Sequence, residues 1–291
     1  MAVNELTGPP SLGPLYASAA AGAVWPGRAR ALPDTEIVRR GVTVDPAHLA
    51  DYARVCGFRV TDALPLTYPH VLTFPLQVVL MADRSFPLPL PGMVHLANRI
   101  TAHRPISPSE TLDVHVRADR FTANAKGAQV DLIGVVESDG EVVWEGRSTY
   151  LSRGAPAPVV KSTEDYDEDI LAPEAPSGTP NAIWRVPGDQ GRRYAGVSGD
   201  VNPIHLHPWT AKAMGFPRAV AHGMWTAAHA LAALEGRVPD AATYDVVFRK
   251  PVLLPATVGL VTARDGNDAW RFAVRGVKDP EKLHLIGRVQ G

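Results

Sequence analysis

The hexapeptide Tyr52-Ala-Arg-Val-Cys-Gly57 returns as Tyr194-Ala-Gly-Val-Ser-Gly199, 142 residues further along the chain. A valine stands eight residues before each tyrosine, Val44 in one case and Val186 in the other. Later, Arg104-Pro-Ile-Ser-Pro108 is answered by Lys250-Pro-Val-Leu-Leu-Pro255. Matches in the same order and this far apart point to two copies of one domain, not to a solenoid of short units. A chain of 291 residues has room for two small domains.

The pattern of expected elements repeats as well. Glu36 to Val44 is a strand candidate. Asp45-Pro46 starts a helix, with a capping residue followed by proline in the first turn, and Gly57 ends it after Cys56. A proline-punctuated stretch follows. Then comes a short apolar helix from Pro75 to Ala82, with Leu76, Val79 and Leu80 at helical spacing. Four strands complete this copy: Met93 to Ile100, Leu112 to Ala118 with period two, Val130 to Val136, and Val142 to Leu151. The second copy opens with a strand at Ala182 to Val186 and a short helix near Pro208 to Met214. Next is a helix from Gly223 to Glu235 with no charged residue before Glu235, which marks it as buried. Its four strands are Thr243 to Phe248, Thr257 to Thr262, Ala269 to Val277 and Leu283 to Val289.

The expected division is therefore an N-terminal copy over residues 1–152, a linker over 153–181 and a C-terminal copy over 182–291. The linker is rich in proline and acid and has little to place in a core. Residues 1–35 form an arm packed on the body, with a docked helix from Leu15 to Val24.

The copies diverge after their shared glycine. Asp200, Asn202 and His205 follow Gly199, whereas Phe58, Arg59 and Val60 follow Gly57. Gly-Asp-x-Asn-Pro is turn chemistry. Pro203 disfavours helical geometry at Asn202, and Asp and Asn bond their own backbone. Such a loop can aim a carboxylate and an imidazole at one point. Two such groups can deprotonate a water and return its proton. His222-Gly223-Met224 opens the apolar helix. Helix N-termini offer unpaired N–H groups, and glycine lets a ligand approach closely. The Gly223 N–H is a candidate oxyanion donor.

Tyr194 through His205 matches the signature of the MaoC-like, or R-specific, enoyl-thioester hydratases at every position: Tyr or Phe, small residues, then Ser-Gly-Asp-x-Asn-Pro-aliphatic-His. The chain resembles that family, most specifically from Tyr194 to about Leu231. The resemblance implies an α+β double hotdog, in which each half wraps an antiparallel sheet around a buried helix. It implies an (R)-specific 3-hydroxyacyl-thioester dehydratase, or 2-enoyl-CoA hydratase, of fatty-acid metabolism. Asp200 and His205 would share the catalytic water, and Gly223 would serve the oxyanion. Asn202 would orient them, with Ser198 and Tyr194 in support. The first copy, lacking the acid and base, would accommodate the acyl chain, leaving one active site per chain.

His222 sits at the start of the helix as a substrate contact. Arg218, Arg249 and Lys250 are candidate contacts for the phosphates of coenzyme A or acyl carrier protein. His205-x-His207 with Asp200 holds metal-ligand types, but Pro208 makes His207 the opening of the next helix, so neither metal nor redox cofactor is expected. His229 is expected in the core and Cys56 to be inert. A hotdog acyl-CoA thioesterase and a non-catalytic acyl-thioester-binding subunit are the alternatives.

Composition narrows the rest. A net charge of -1 provides no global field for nucleic acid or an anionic membrane. No run approaches the roughly 20 apolar residues of a membrane span. Cys56 is the only cysteine, so neither an intrachain disulfide nor a cysteine zinc cluster can form, which fits a cytoplasmic protein. Two hotdogs in one chain imitate a homodimer, so a monomer and a homodimer are both expected forms.

Overall fold

The computed structural model describes residues 1–22, 29–156, 174–266 and 268–291. Most of the expected linker, residues 157–173, lies outside the described residues.

The chain opens with strand β1 (Ala2–Glu5) and helix α1 (Leu12–Gly22). The helix starts earlier than expected, and Val24 lies outside the described residues. The first copy then runs β2 (Thr35–Thr43), α2 (Pro46–Cys56), α3 (Tyr68–Ala82), β3 (Met93–Ala102), β4 (Thr111–Asn124), β5 (Gly127–Ser138) and β6 (Glu141–Arg153). The second runs β7 (Ala182–Val186), α4 (Gln190–Ser198), α5 (Pro203–Leu206), α6 (Pro208–Ala213), α7 (Gly223–Ala232), β8 (Ala242–Phe248), β9 (Ala256–Arg264), β10 (Ala269–Gly276) and β11 (Leu283–Gln290).

Local chemistry explains the matched helices. The Asp45 carboxylate accepts from the Ala47 N–H at 2.9 Å and caps α2. Gly57 and Gly199 end α2 and α4 in the left-handed region, at φ 86° and 72°, where glycine has no Cβ to clash. The repeated glycine is thus a repeated helix stop.

Two helices depart from expectation. Helix α3 begins at Tyr68, not Pro75. Pro69 lies in its first turn, where a missing N–H is harmless. Pro75 is interior, at a usual cost of about 3 kcal/mol. Burial of Tyr68, Val71, Phe74, Leu76 and Val78 offsets that. Helix α7 stops at Ala232, not Glu235. Its last turn tightens to i→i+3 bonds, Leu234 N–H to Leu231 and Glu235 N–H to Ala232, before Gly236 turns the chain.

The strands form one sheet in the order β1-β2-β4-β5-β6-β3-β8-β11-β10-β9-β7. Each strand from β2 to β6 has its counterpart in β7 to β11, and the two sets run outward in mirrored order from β3 and β8. Those two strands pair antiparallel, from Ala97–Val247 to Ala102–Ala242. Arg99 grips Asp245 across this seam with two bonds of 2.6 and 3.1 Å. Alternating burial along β4, with Leu112, Val114 and Val116 inside, packs its half-sheet against α3. Helix α7 is buried through Met224, Trp225, Ala227, Ala228, Ala230 and Leu231. The architecture is the expected α+β double hotdog. No described helix is long and apolar enough to cross a membrane.

Candidate active site

Elements from both halves enclose a cavity of about 680 Å³. Small-molecule sites usually span roughly 300–1,000 Å³. The expected turn is only part of the motif's structure. Tyr194 to Ser198 form the end of α4, Gly199 to Asn202 are loop, and Pro203 starts the single turn of α5.

Each motif residue has a definite task. Ser198 Oγ donates to the Tyr194 carbonyl at 2.8 Å and accepts from the Asp200 N–H at 3.2 Å, pinning the turn. Asn202 Oδ1 accepts from the Ile204 N–H at 3.4 Å and caps α5, the turn that carries His205. Tyr194 is buried, with its ring centroid 4.9 Å from that of His222. Gly191, in the first turn of α4, faces the His205 carbonyl so closely that a Cβ would overlap it.

Asp200 keeps a side chain 21% exposed. Its Oδ1 accepts from the Asn202 N–H at 3.1 Å and from the Tyr16 hydroxyl at 3.2 Å. Burial pushes its pKa up, but His222, His205 and these two hydrogen bonds outweigh that and hold it below the ordinary 3.8. The hydrogen bonds act whatever the charge on the rings. Asp200 is therefore a carboxylate at neutral pH.

His205 Nδ1 lies 2.7 Å from the Val220 carbonyl. A carbonyl only accepts, so Nδ1 carries the proton and Nε2 keeps a lone pair. Burial lowers the His205 pKa below 6.5, against the pull of Asp200. His222 Nε2 donates to the Asp200 carbonyl at 2.9 Å, and burial brings its pKa down to about 3. The two imidazoles stack, with centroids 3.7 Å apart and planes 25° apart. Both are neutral near pH 7.

One donor atom from each of Asp200, His205 and His222 lies within 4.8 Å of the others. The types would suit a metal ion. However, a ring nitrogen's lone pair lies in its own ring plane, and nearly parallel stacked planes do not meet at one ion. Atoms within 4.8 Å of one another are also within reach of a single bridging water. Acceptors bridged by one water with bonds of ~2.8 Å stand about 4.5 Å apart.

Helix α7 opens on the cavity wall at Gly223. First-turn N–H groups have no acceptor inside the helix and carry positive partial charge. A Cβ on Gly223 would stand 2.9 Å from the Phe248 ring. The position thus favours glycine on steric grounds alone.

The basic candidates separate. Arg249 and Lys250 are exposed residues of the cavity lining. Arg218 is not in the lining, and its guanidinium donates to the Pro255 carbonyl at 3.2 Å. Lys126 and Arg153, from the first half, join Arg249 and Lys250 as exposed cations of the lining. His207 caps α6 by accepting from the Trp209 N–H at 3.3 Å. His229 Nδ1 donates to the Cys56 carbonyl at 2.7 Å, tying α7 to the end of α2.

Sequence reasoning expected the first half to hold the acyl chain but missed the polar side chains that it and the arm bring to the cavity. Tyr16, His70, His95 and Tyr150 all line the cavity. His70, on apolar α3, was the one legible anomaly among them. A second cavity, of about 170 Å³, is lined by Phe58 and Ala63, which lie 142 positions before Asp200 and His205.

A carboxylate and two neutral imidazoles with atoms within 4.8 Å of one another, beside a helix whose N-terminus lines a cavity, suit an enzyme that adds or removes water. Residues 172–282 match the MaoC like domain. The chain is 40% identical over 277 residues to 3-hydroxyacyl-thioester dehydratase X of Mycobacterium tuberculosis, covering 95% of this chain and 96% of that protein. It is 29% identical over 163 residues to the peroxisomal enoyl-CoA hydratase 2 of Arabidopsis thaliana, covering 50% of this chain and 52% of the other. The crystal structure of the Mycobacterium tuberculosis protein HtdX superposes with a TM-score of 0.76 at 38% identity, covering 88% of this chain and 99% of that one. The chain belongs to the MaoC-like dehydratase family. It is a hydro-lyase, a hydratase or dehydratase.

Proposed function

We propose that the protein is an (R)-specific 3-hydroxyacyl-thioester dehydratase, which in reverse hydrates 2-enoyl thioesters in fatty-acid metabolism. The observation that carries this reading is that Asp200 and His205 bring donor atoms within 4.8 Å of each other beside the N-terminus of α7, within reach of one shared water.

In the hydration direction, Asp200 orients the water and His205 Nε2 takes one of its protons. The water oxygen bonds to the β-carbon as the double-bond electrons move toward the thioester oxygen. The Gly223 N–H meets the charge on that oxygen. The proton on His205 then passes to the α-carbon, which restores the carbonyl and the neutral imidazole. Dehydration is the same path reversed. Proton transfer of this kind contributes roughly 10²–10⁴-fold, and one oxyanion donor about 10²–10³-fold.

The division of labour follows the halves. The C-terminal half, from residue 182, supplies the acid, the base and the amide. The N-terminal half, to residue 152, supplies apolar walls such as Val71, Phe74 and Met81, and these take the acyl chain. Lys126, Arg153, Arg249 and Lys250 give the rim a positive character suited to the phosphate that coenzyme A and the carrier-protein arm share. One chain carries both halves and is a complete catalytic unit.

Incubation with a crotonyl thioester tests the reading. Loss of enoyl absorbance without release of free thiol, giving the R product on chiral analysis, is expected. Release of free thiol instead would indicate a thioesterase.

A further inference from the structure

Helix α1 precedes the repeated elements and has no counterpart in the second copy, yet it reaches the centre of the site. Tyr16 lines the cavity and places its hydroxyl 3.2 Å from Asp200 Oδ1. A second contact fixes the same helix to the same turn. A Cβ on Gly199, the residue before Asp200, would stand 3.1 Å from Leu12 Cδ1. Helix α1 also packs on α3, which forms part of the cavity wall. The arm is thus registered against the catalytic turn by two side chains one helical turn apart.

We infer that Tyr16 is a positioning residue for the hydration reaction, holding Asp200 by one oxygen so that the other faces the water. This rests on the proposed role of Asp200. Oδ1 already accepts from the Tyr16 hydroxyl and the Asn202 N–H, so Oδ2 is the oxygen left for a water. Burial and the neighbouring carboxylate raise the Tyr16 pKa, so the phenol keeps its proton and donates. Without this bond the carboxylate can turn about its last torsion, and its negative charge is less stabilised. The residue lies before the repeated elements, which begin at β2 and β7. It is a part added to the fold from outside.

The acidic side of the pH profile reports the site. The titratable groups around Asp200 are Tyr16 from α1, His205 from α5, His222 before α7 and Tyr194 from α4. From the first half come His70 on α3, His95 on β3 and Tyr150 on β6. Asp200 and His205 titrate as a coupled pair, so the acidic limb belongs to both. Weakening the bond to Oδ1 concentrates charge on the carboxylate. Asp200 then binds a proton more readily and stabilises a protonated His205 more strongly. Both effects move the limb to higher pH.

The test is kcat and KM against pH for the full chain with a crotonyl thioester. Tyr16→Phe is expected to lower kcat about tenfold, with a smaller change in KM, and to move the acidic limb upward. A fluorinated tyrosine at position 16, a stronger donor, is expected to move the limb downward. Opposite displacements of the limb are not the result of a packing role. Leu12→Ala, which loosens the arm without touching the hydroxyl, is expected to lower kcat in the same direction. Limbs that coincide for wild type, Tyr16→Phe and the fluorinated variant would overturn the inference. Wild-type turnover that survives Asp200→Asn would instead remove the reading beneath it.

Discussion

The imidazoles of His205 and His222 stack with their centroids 3.7 Å apart. Two unit positive charges at about 4 Å repel by roughly 4 kcal/mol at an effective dielectric of 20. The pair therefore resists double protonation, and burial already favours both neutral forms. Site chemistry and acid stability are linked through these rings.

The first prediction concerns that link. His222 and His95 have pKa values brought down to about 3, and His70 to about 4, from an ordinary 6.5. The unfolded chain binds protons that the folded chain refuses, so stability is full above 6.5 and falls as pH drops toward 4 and then 3. The melting temperature should decline across that window. His70→Leu should flatten the decline, as measured by thermal unfolding from pH 7 to pH 4.

Asp200→Asn and His205→Gln should each cost about 10²–10⁴ in kcat. On the proposed mechanism the two groups act on one water, so the double variant should be little worse than the poorer single one. Steady-state hydration rates, with circular dichroism to verify folding, decide this. Multiplying losses would mean that the two act separately.

Gly223→Ala should lower kcat by about 10²–10³, since its methyl group presses on Phe248 and displaces the amide. Adding Phe248→Leu makes room for that methyl. The double variant should recover part of the rate. If Phe248→Leu gives no recovery, displacement of the amide by the ring is not the cause.

Gly191→Ala tests support from behind the base. The added Cβ overlaps the His205 carbonyl and must push α5 away from α4. A stability loss of about 1–3 kcal/mol is expected. The larger effect should be on kcat, by tenfold or more, because His205 moves relative to Asp200. Urea unfolding and kinetics on one preparation separate the two effects.

The repeat and the acid–imidazole motif were legible because each is local and written in special residues. Gly57 and Gly199 stop helices through a backbone conformation that few other residues adopt. Asp200 and Asn202 sit in a short loop that leads straight into α5 and His205, so their spacing alone brings them near each other. What stayed hidden depends on contacts between distant parts. Tyr16 and Asp200 are separated by 184 positions, and nothing in an alanine-rich arm marks one tyrosine. Gly191 looks like any helix glycine until the His205 carbonyl is seen against it. Pro75 read as a helix start because local preference was weighed without the burial that overrides it. The rim cations Lys126 and Arg153 sit on the β5 side of the first half, far in sequence from Arg249 and Lys250.

The cavity of about 170 Å³ beside Phe58, against about 680 Å³ beside Asp200, is a difference between the halves that covalent fusion permits. When two identical chains associate, every substitution is made twice, and a wall moved back on one side is moved back on both. Here each half mutates alone. One can surrender its chemistry and shape a binding chamber, while the other retains the reacting groups. Symmetry survives in the strand pairing at the seam and is abandoned where molecules are transformed.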